Sequence, residues 1–209
     1  MTLRVVNLGL PKTGTTTLAR ALRRAGCRVA DHKIRAKQTD NTELHGAYVA
    51  DLLYRGYFET GDPGAYIGEF DAISEMSVLR EGRSVWPQMD FGLIMAIRAH
   101  HPGVKFLASC RDAFKISQSM LAWSDLGTMR LPAASIPGLP QGYGETSGER
   151  MQWIKAHYGF LRTIFHNDAD FLEYDVADPA ARDLISGFLE FPVNWWGKSN
   201  VNKLNEAAL

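Results

Sequence analysis

The stretch RVVNLGLPKTGTTT, residues 4–17, limits what this chain can fold into more than any other segment. Leu3 to Leu8 is a short apolar run with the composition of a buried strand. It passes without a spacer into a turn holding Gly9, Pro11, Gly14 and several threonines, and helical spacing follows from about Thr15 to Ala25. Leu18, Ala21, Leu22 and Ala25 share one helix face, while Arg20, Arg23 and Arg24 face away, and Gly26 stands where such a helix ends. A strand, a glycine turn and a helix in that order gather several backbone N–H groups and the positive helix end around one point. That point is a site for a phosphate-like anion.

The rest of the chain alternates in the same way. A short strand is expected at Arg28–Ala30, a helix at Tyr48–Phe58, a turn at Gly61–Gly64 and a strand at Ala65–Ser74. A strongly apolar helix follows at Met89–Ala99, then a strand at Val104–Cys110 and a helix capped by Asp112 that runs to about Trp123. Glu149–His166 reads as an amphipathic helix, Asp170–Tyr174 as the fifth strand and Pro179–Glu190 as a last helix. Strands alternating with helices predict an α/β domain over residues 1–209: a P-loop-NTPase-like parallel sheet of about five strands with helices on both faces. Ligands of such sheets collect at the carboxyl ends of the strands. Two segments lack a strong pattern. Residues 33–65 are polar and mixed in sign, and residues 124–148 are rich in Gly, Pro and Ser, so both are expected to supply an acceptor site or a lid.

Charge narrows the partners. The 23 basic and 23 acidic residues cancel, so neither nucleic acid nor an anionic membrane is an expected partner, and anion recognition has to be local. A hydrophobic content of 45% is that of an ordinary soluble protein, and no apolar run approaches the roughly 20 residues of a membrane span. The strand begins too near Met1 to leave room for a signal peptide, and the two cysteines, Cys27 and Cys110, do not make a disulfide framework. A cytoplasmic setting is therefore expected.

The turn differs from a nucleotide P-loop in one respect. Gly9 and Gly14 have the Walker A spacing, but Thr15 occupies the slot of the Walker lysine and the lysine sits inside the loop as Lys12. Pro11-Lys12-Thr13-Gly14-Thr15-Thr16, with Thr17 after it, resembles instead the P-K-[ST]-G-T-T loop of sulfotransferases that use 3′-phosphoadenosine-5′-phosphosulfate, matching at each position. That family grips the donor's 3′-phosphate with an arginine ending a strand and a serine eight residues on, and Arg111 and Ser119 have this spacing. The likeness is to the short, divergent bacterial members. It implies that Lys12, Thr13, Gly14, Thr15, Thr16 and Thr17 hold the 5′-phosphosulfate and that Arg111 and Ser119 hold the 3′-phosphate. It further implies that Lys12 neutralises the bridging oxygen as the S–O bond breaks. No metal is expected.

The resemblance also asks for a general base near the end of the strand beside the loop, a histidine or a glutamate. The third predicted strand, IGEFDAISEM, offers Glu69, Asp71 and Glu75, with Glu69 and Asp71 on one face if the strand is continuous. Gly68-Glu69 resembles the start of a G-E-K-[ST] form in which Phe70 replaces the lysine. The run Phe70-Asp71-Ala72-Ile73-Ser74-Glu75 resembles a second, bacterial form in which an aspartate follows D-A-x-x, which favours Asp71 and Glu75. His32, after the second strand, is the histidine competitor. An R-K-G segment that grips the 3′-phosphate in eukaryotic relatives is absent, and Lys198 in GKSNVN is a shortened counterpart at most. Trp195 and Trp196 are expected to cover the core, with adenine stacking as the alternative.

The function expected from this reading is transfer of a sulfuryl group from 3′-phosphoadenosine-5′-phosphosulfate to a hydroxyl of a small-molecule or glycan acceptor. A P-loop small-molecule kinase and a non-catalytic nucleotide-binding module are the alternatives.

Overall fold

The computed structural model describes residues 2–80, 82–197 and 199. In chain order the elements are β1 (Val5–Asn7), α1 (Thr15–Arg24), β2 (Val29–Ala30), α2 (Val49–Thr60), β3 (Ala72–Ile73), β4 (Val78–Arg80) and β5 (Arg83–Val85). They continue with α3 (Phe91–His100), β6 (Lys105–Cys110), α4 (Ala113–Leu121), a π-helical segment at Leu126–Arg130, a single turn α5 (Leu131–Ala133), α6 (Ser147–Ile164), β7 (Phe171–Asp175) and α7 (Ala181–Leu189). β2, β3, β1, β6 and β7 form, in that order, an all-parallel five-stranded sheet.

Alternation along each strand sends neighbouring residues to opposite faces. Val5, Val29, Ala72 and Leu107 pack with Leu18 and Leu22 of α1 and Ile185 of α7. Val6, Ala30, Ile73 and Phe106 pack on the other side with Leu53 of α2, Ile94 of α3, Ile116 of α4 and Leu161 of α6. Both faces are thus covered, as a parallel sheet requires. From β1 the chain first builds β2 and β3 on one side and then crosses to lay down β6 and β7 on the other. The connections after β1 and β6 diverge at the carboxyl edge, which makes the crevice there a topological switch point.

Three parts of the chain differ from the sequence reading. The third strand is only Ala72–Ile73; residues 65–71 fold as successive turns, with Ala65 N donating to Asp62 O and Phe70 N to Ile67 O. Pro63, Gly64 and Gly68 punctuate that run, and their turn chemistry outweighs its β-like composition. A β-hairpin, β4 with β5, follows the sheet strand, pairing Val78 with Val85 around Gly82 at φ 73°. Residues 124–148, expected to supply an acceptor site or a lid and read without regular structure, contain a π-helical segment and a helical turn. The buried Arg150 of α6 donates to Gly144 O, Glu145 O, Ser117 Oγ and Ser147 Oγ and so ties the segment to α4.

Trp195 and Trp196 are half-buried against the α1–α7 cluster, with Arg24 over the Trp195 ring at 4.8 Å, so they cover the core. Among the described residues no helix is long and apolar enough to cross a membrane.

Candidate active site

The loop after β1 is held from beneath by buried polar groups. Asn7, at the end of the central strand, donates from Nδ2 to Ser74 O on the β3 side and to Ser109 Oγ on the β6 side. Its Oδ1 accepts from Gly9 N and Ser109 N. One amide side chain therefore joins the ends of three neighbouring strands to the start of the loop. Gly9 passes so close to β6 that a Cβ there would lie 2.3 Å from Ser109 Oγ and 2.5 Å from Ser109 O. From α6, Tyr158 donates to Ser109 O and its hydroxyl accepts from Leu10 N, while His157 Nε2 donates to Leu8 O. Burial holds the His157 ring neutral, with a pKa lowered to about 4, which suits a donor with an unpartnered Nδ1.

Above this base the loop, α1 and the strand ends open on one cleft of about 260 Å³. Lys12, Gly14, Thr15 and Thr16 form one wall, and Arg111 and Ser119 another. His32, Glu75 and Ser77 line it beyond β2 and β3, Leu79 and Arg80 from the hairpin, and Trp123, Leu126 and Arg130 from the end of α4 onward. The loop and the Arg111–Ser119 pair, predicted separately, face a common space. Gly14 is left-handed at φ 92° and a Cβ there would meet Val176 at 2.4 Å, so only glycine lets the helix start at this point.

The electrostatics are lopsided. Among the described residues, Lys12, Arg80, Arg111 and Arg130 line the cleft against one carboxylate, Glu75. Burial raises the Glu75 pKa to about 7, although Ser77 N, Ser77 Oγ and the Thr15 hydroxyl all donate to the carboxylate and oppose that rise. Burial also lowers Lys12 to about 8; Glu75 pulls it up and Arg111 pushes it further down. The Nε of Arg111 is buried with no hydrogen-bond partner among the described residues, and none of the ion pairs formed among them involves this guanidinium. His32 donates from Nδ1 to Ser77 O at 2.7 Å, and burial lowers its pKa, so it enters the cleft as a neutral ring.

Not every expected residue reaches the cleft. Asp71 precedes β3 and sits at the amino edge of the sheet, its backbone O accepting from Arg4 N and Val5 N. It is at the wrong end to act as a base. Glu69 is bound by Arg28 at 2.5 Å and by the Thr39 hydroxyl, and it too is away from the cleft. Both misplacements have one cause: the strand taken to carry these acids is turns up to Asp71. Thr13 is fully buried and its hydroxyl donates to Leu10 O and meets Ser109 Oγ, while Thr17 donates to Gly197 O. The Thr13 hydroxyl braces the loop and the Thr17 hydroxyl ties α1 to Gly197, and neither residue lines the cleft. Residues 33–65 also contribute no wall; the β4–β5 hairpin stands in their place. Lys198 lies outside the described residues.

Four contributors had gone unnoticed. Asn7 is hidden because a polar residue ending an apolar strand reads as the strand's limit. Ser109, Tyr158 and His157 act across about 50 to 150 residues of sequence, and nothing local marks them. Among the described residues no group of His, Cys, Asp and Glu could hold a metal ion. No protein-family model matches the chain, and a search of curated proteins finds no match.

Proposed function

We propose that this chain is a sulfotransferase that takes its sulfuryl group from 3′-phosphoadenosine-5′-phosphosulfate and delivers it to a hydroxyl. The observation that carries the reading is the shared cleft: an anion loop with an internal lysine and the Arg111–Ser119 pair open on the same space, with the raised carboxylate of Glu75 lining it on the β3 side of the loop. The loop amides and the hydroxyls of Thr15 and Thr16 bind the 5′-phosphosulfate, and Arg111 and Ser119 bind the 3′-phosphate.

The acceptor oxygen attacks sulfur in line with the bond to the bridging oxygen. As the new S–O bond forms, the hydroxyl proton passes to ionised Glu75 and the old S–O bond breaks. The electron pair of that bond stays on the 5′-phosphate, where the Lys12 ammonium neutralises it. Positioning and charge neutralisation supply most of the rate, as in phosphoryl transfer.

Calorimetric titration with adenosine 3′,5′-bisphosphate, with ADP and ATP as controls, tests the reading. Micromolar binding of the bisphosphate is expected, on the order of −8 kcal/mol, with weaker binding of ADP. Preference for ATP, with magnesium-dependent turnover, would replace sulfuryl transfer by phosphoryl transfer. Lys12→Ala should depress turnover more than bisphosphate affinity, the pattern of a contact made in the transition state.

A further inference from the structure

Beyond the two cations at the donor positions, the described lining of the cleft holds two more, both on one side. Arg111 stands at the end of β6 and Lys12 in the loop after β1, and these two belong to the donor. Arg80 ends β4 and Arg130 ends the π-helical segment, across the cleft on the side of Ser77 and Leu79. Arg80 is exposed and has no ion pair among the described residues. Arg130 is held by Asp125 at 2.7 Å and by Leu79 O at 2.8 Å through Nε and one terminal nitrogen, which fixes the guanidinium beside the hairpin.

The line from base to arginine is continuous. Glu75 accepts from Ser77 Oγ at 2.6 Å, Ser77 O accepts from His32 Nδ1 at 2.7 Å, and the charge of Arg80 acts on the His32 ring. A hydroxyl that surrenders its proton to Glu75 therefore lies with the rest of its molecule over Ser77 and Leu79, next to Arg80 and Arg130. The exposed guanidinium of Arg80, with the remaining terminal nitrogen of the Asp125-paired Arg130 beside it and Leu79 and a neutral imidazole nearby, suits an anion on a carbon frame.

We infer that the acceptor is a small hydroxylated molecule carrying an anionic group, a carboxylate or a phosphate, and that Arg80 and Arg130 bind this group while the hydroxyl meets Glu75. The inference rests on the sulfotransferase reading for its donor half only. Arg80 carries the selectivity, and Arg130 also closes the cleft roof by joining residues 126–130 to β4.

The test uses the full chain saturated with adenosine 3′,5′-bisphosphate and two probes that differ in one charge, 4-hydroxyphenylacetate and its methyl ester. Calorimetry should find the acid bound about tenfold more tightly than the ester, the scale of a charged hydrogen bond. Arg80→Gln, at an exposed position, should remove most of that preference and leave bisphosphate affinity within about twofold. Equal binding of acid and ester, or binding of neither, overturns the inference. So does an Arg80→Gln protein that loses bisphosphate affinity, since Arg80 would then be a donor contact. If the bisphosphate itself does not bind the wild type, the sulfotransferase reading fails. The acid–ester comparison on the unloaded protein still decides the acceptor site in that case.

Discussion

The Lys12 ammonium stands 3.5 Å from the centre of the Trp123 ring. Lys12 adopts φ 73°, a left-handed backbone uncommon outside glycine, and this turns its side chain across the cleft toward the end of α4. An ammonium over an indole face is attracted by about 0.5–2 kcal/mol, more as water is excluded. In the proposed reaction Trp123 would hold this cation for the donor's bridging oxygen. Trp123→Ala should lower the single-turnover rate about tenfold with little loss of bisphosphate affinity, and Trp123→Phe should keep most of the rate. Removing the ring also hydrates Lys12, so the alkaline limb of the pH profile should move upward in the Ala variant. A rate loss with that limb unmoved would reduce Trp123 to packing.

The two groups to which the proposed reaction assigns proton and charge transfer have shifted proton affinities of opposite sense. Glu75 must be ionised to take a proton and its pKa is raised to about 7; Lys12 must be protonated and its pKa is lowered to about 8. Activity should therefore rise as pH increases through about 7 and fall as it passes about 8, a narrow bell reporting the coupled pair. Glu75→Gln should cost about 10²- to 10⁴-fold in kcat and abolish the acid limb. A variant that keeps the acid limb would move the base to another residue, with His32 next in the cleft.

Glu75 has a second, opposite consequence. Its folded pKa lies above its ordinary value near 4.5, so between about 4.5 and 7 the folded protein binds more protons than the unfolded chain. Stability then falls as pH rises across that window, and above pH 7 the full destabilisation is present. Glu75→Gln should accordingly be more stable than the wild type at pH 8, on the order of 1–3 kcal/mol, with the gap closing toward pH 4.5. Thermal unfolding at the two pH values measures it. A Gln variant less stable at pH 8 would show that the hydrogen bonds from Ser77 and Thr15 outweigh burial.

How far the sequence carried this reading depends on the range of the forces involved. The loop after β1, α1, the Asp112 cap and the alternating strands were legible because each is set by residues within a turn or two: Gly14 permits the helix start, and Asp112 Oδ1 accepts from Lys115 N. The parallel sheet with both faces covered followed from that alternation. Glu69 and Asp71 were misassigned because β-like composition over residues 65–74 outweighed Gly68 in the reading, whereas the turn expected at Gly61–Gly64 continues through it and confines the strand to Ala72–Ile73. The β4–β5 hairpin carried only Gly82 as a signal, and the wall of the cleft that it forms was credited to residues 33–65. Asn7, Ser109, Tyr158 and His157 were out of reach because their contacts close only once β1, β6 and α6 are packed together.

Arg111 carries the donor's far end in this reading. Its Nε is buried without a partner among the described residues, so that nitrogen is desolvated in advance of a ligand. Arg111→Ala should weaken adenosine 3′,5′-bisphosphate binding tenfold or more, given about 1.5–3 kcal/mol for a charged hydrogen bond. Arg111→Lys should recover little, because a point charge cannot reproduce a planar fork. Ser119→Ala should cost less, about two- to tenfold. Unchanged affinity in Arg111→Ala would remove the 3′-phosphate from this wall.

The close approach at Gly9 gives the sharpest test of how the loop is held. A methyl group there would press on Ser109 Oγ at 2.3 Å and on Ser109 O at 2.5 Å. The hydroxyl can rotate away, but the carbonyl belongs to β6 and also accepts from Tyr158, so the loop itself has to move. Gly9→Ala should destabilise the protein by about 1–3 kcal/mol and weaken bisphosphate binding, because the displaced loop no longer converges its amides. Ser109→Ala in that background should relieve only part of the loss. Gly26→Ala is the control: a Cβ at Gly26 meets nothing within 4 Å, and its φ of 93° is strained for alanine. It should cost stability by about 1 kcal/mol through backbone strain alone and leave binding intact. If both variants lost stability and neither lost binding, the contact of Gly9 with Ser109 would serve the fold and not the site.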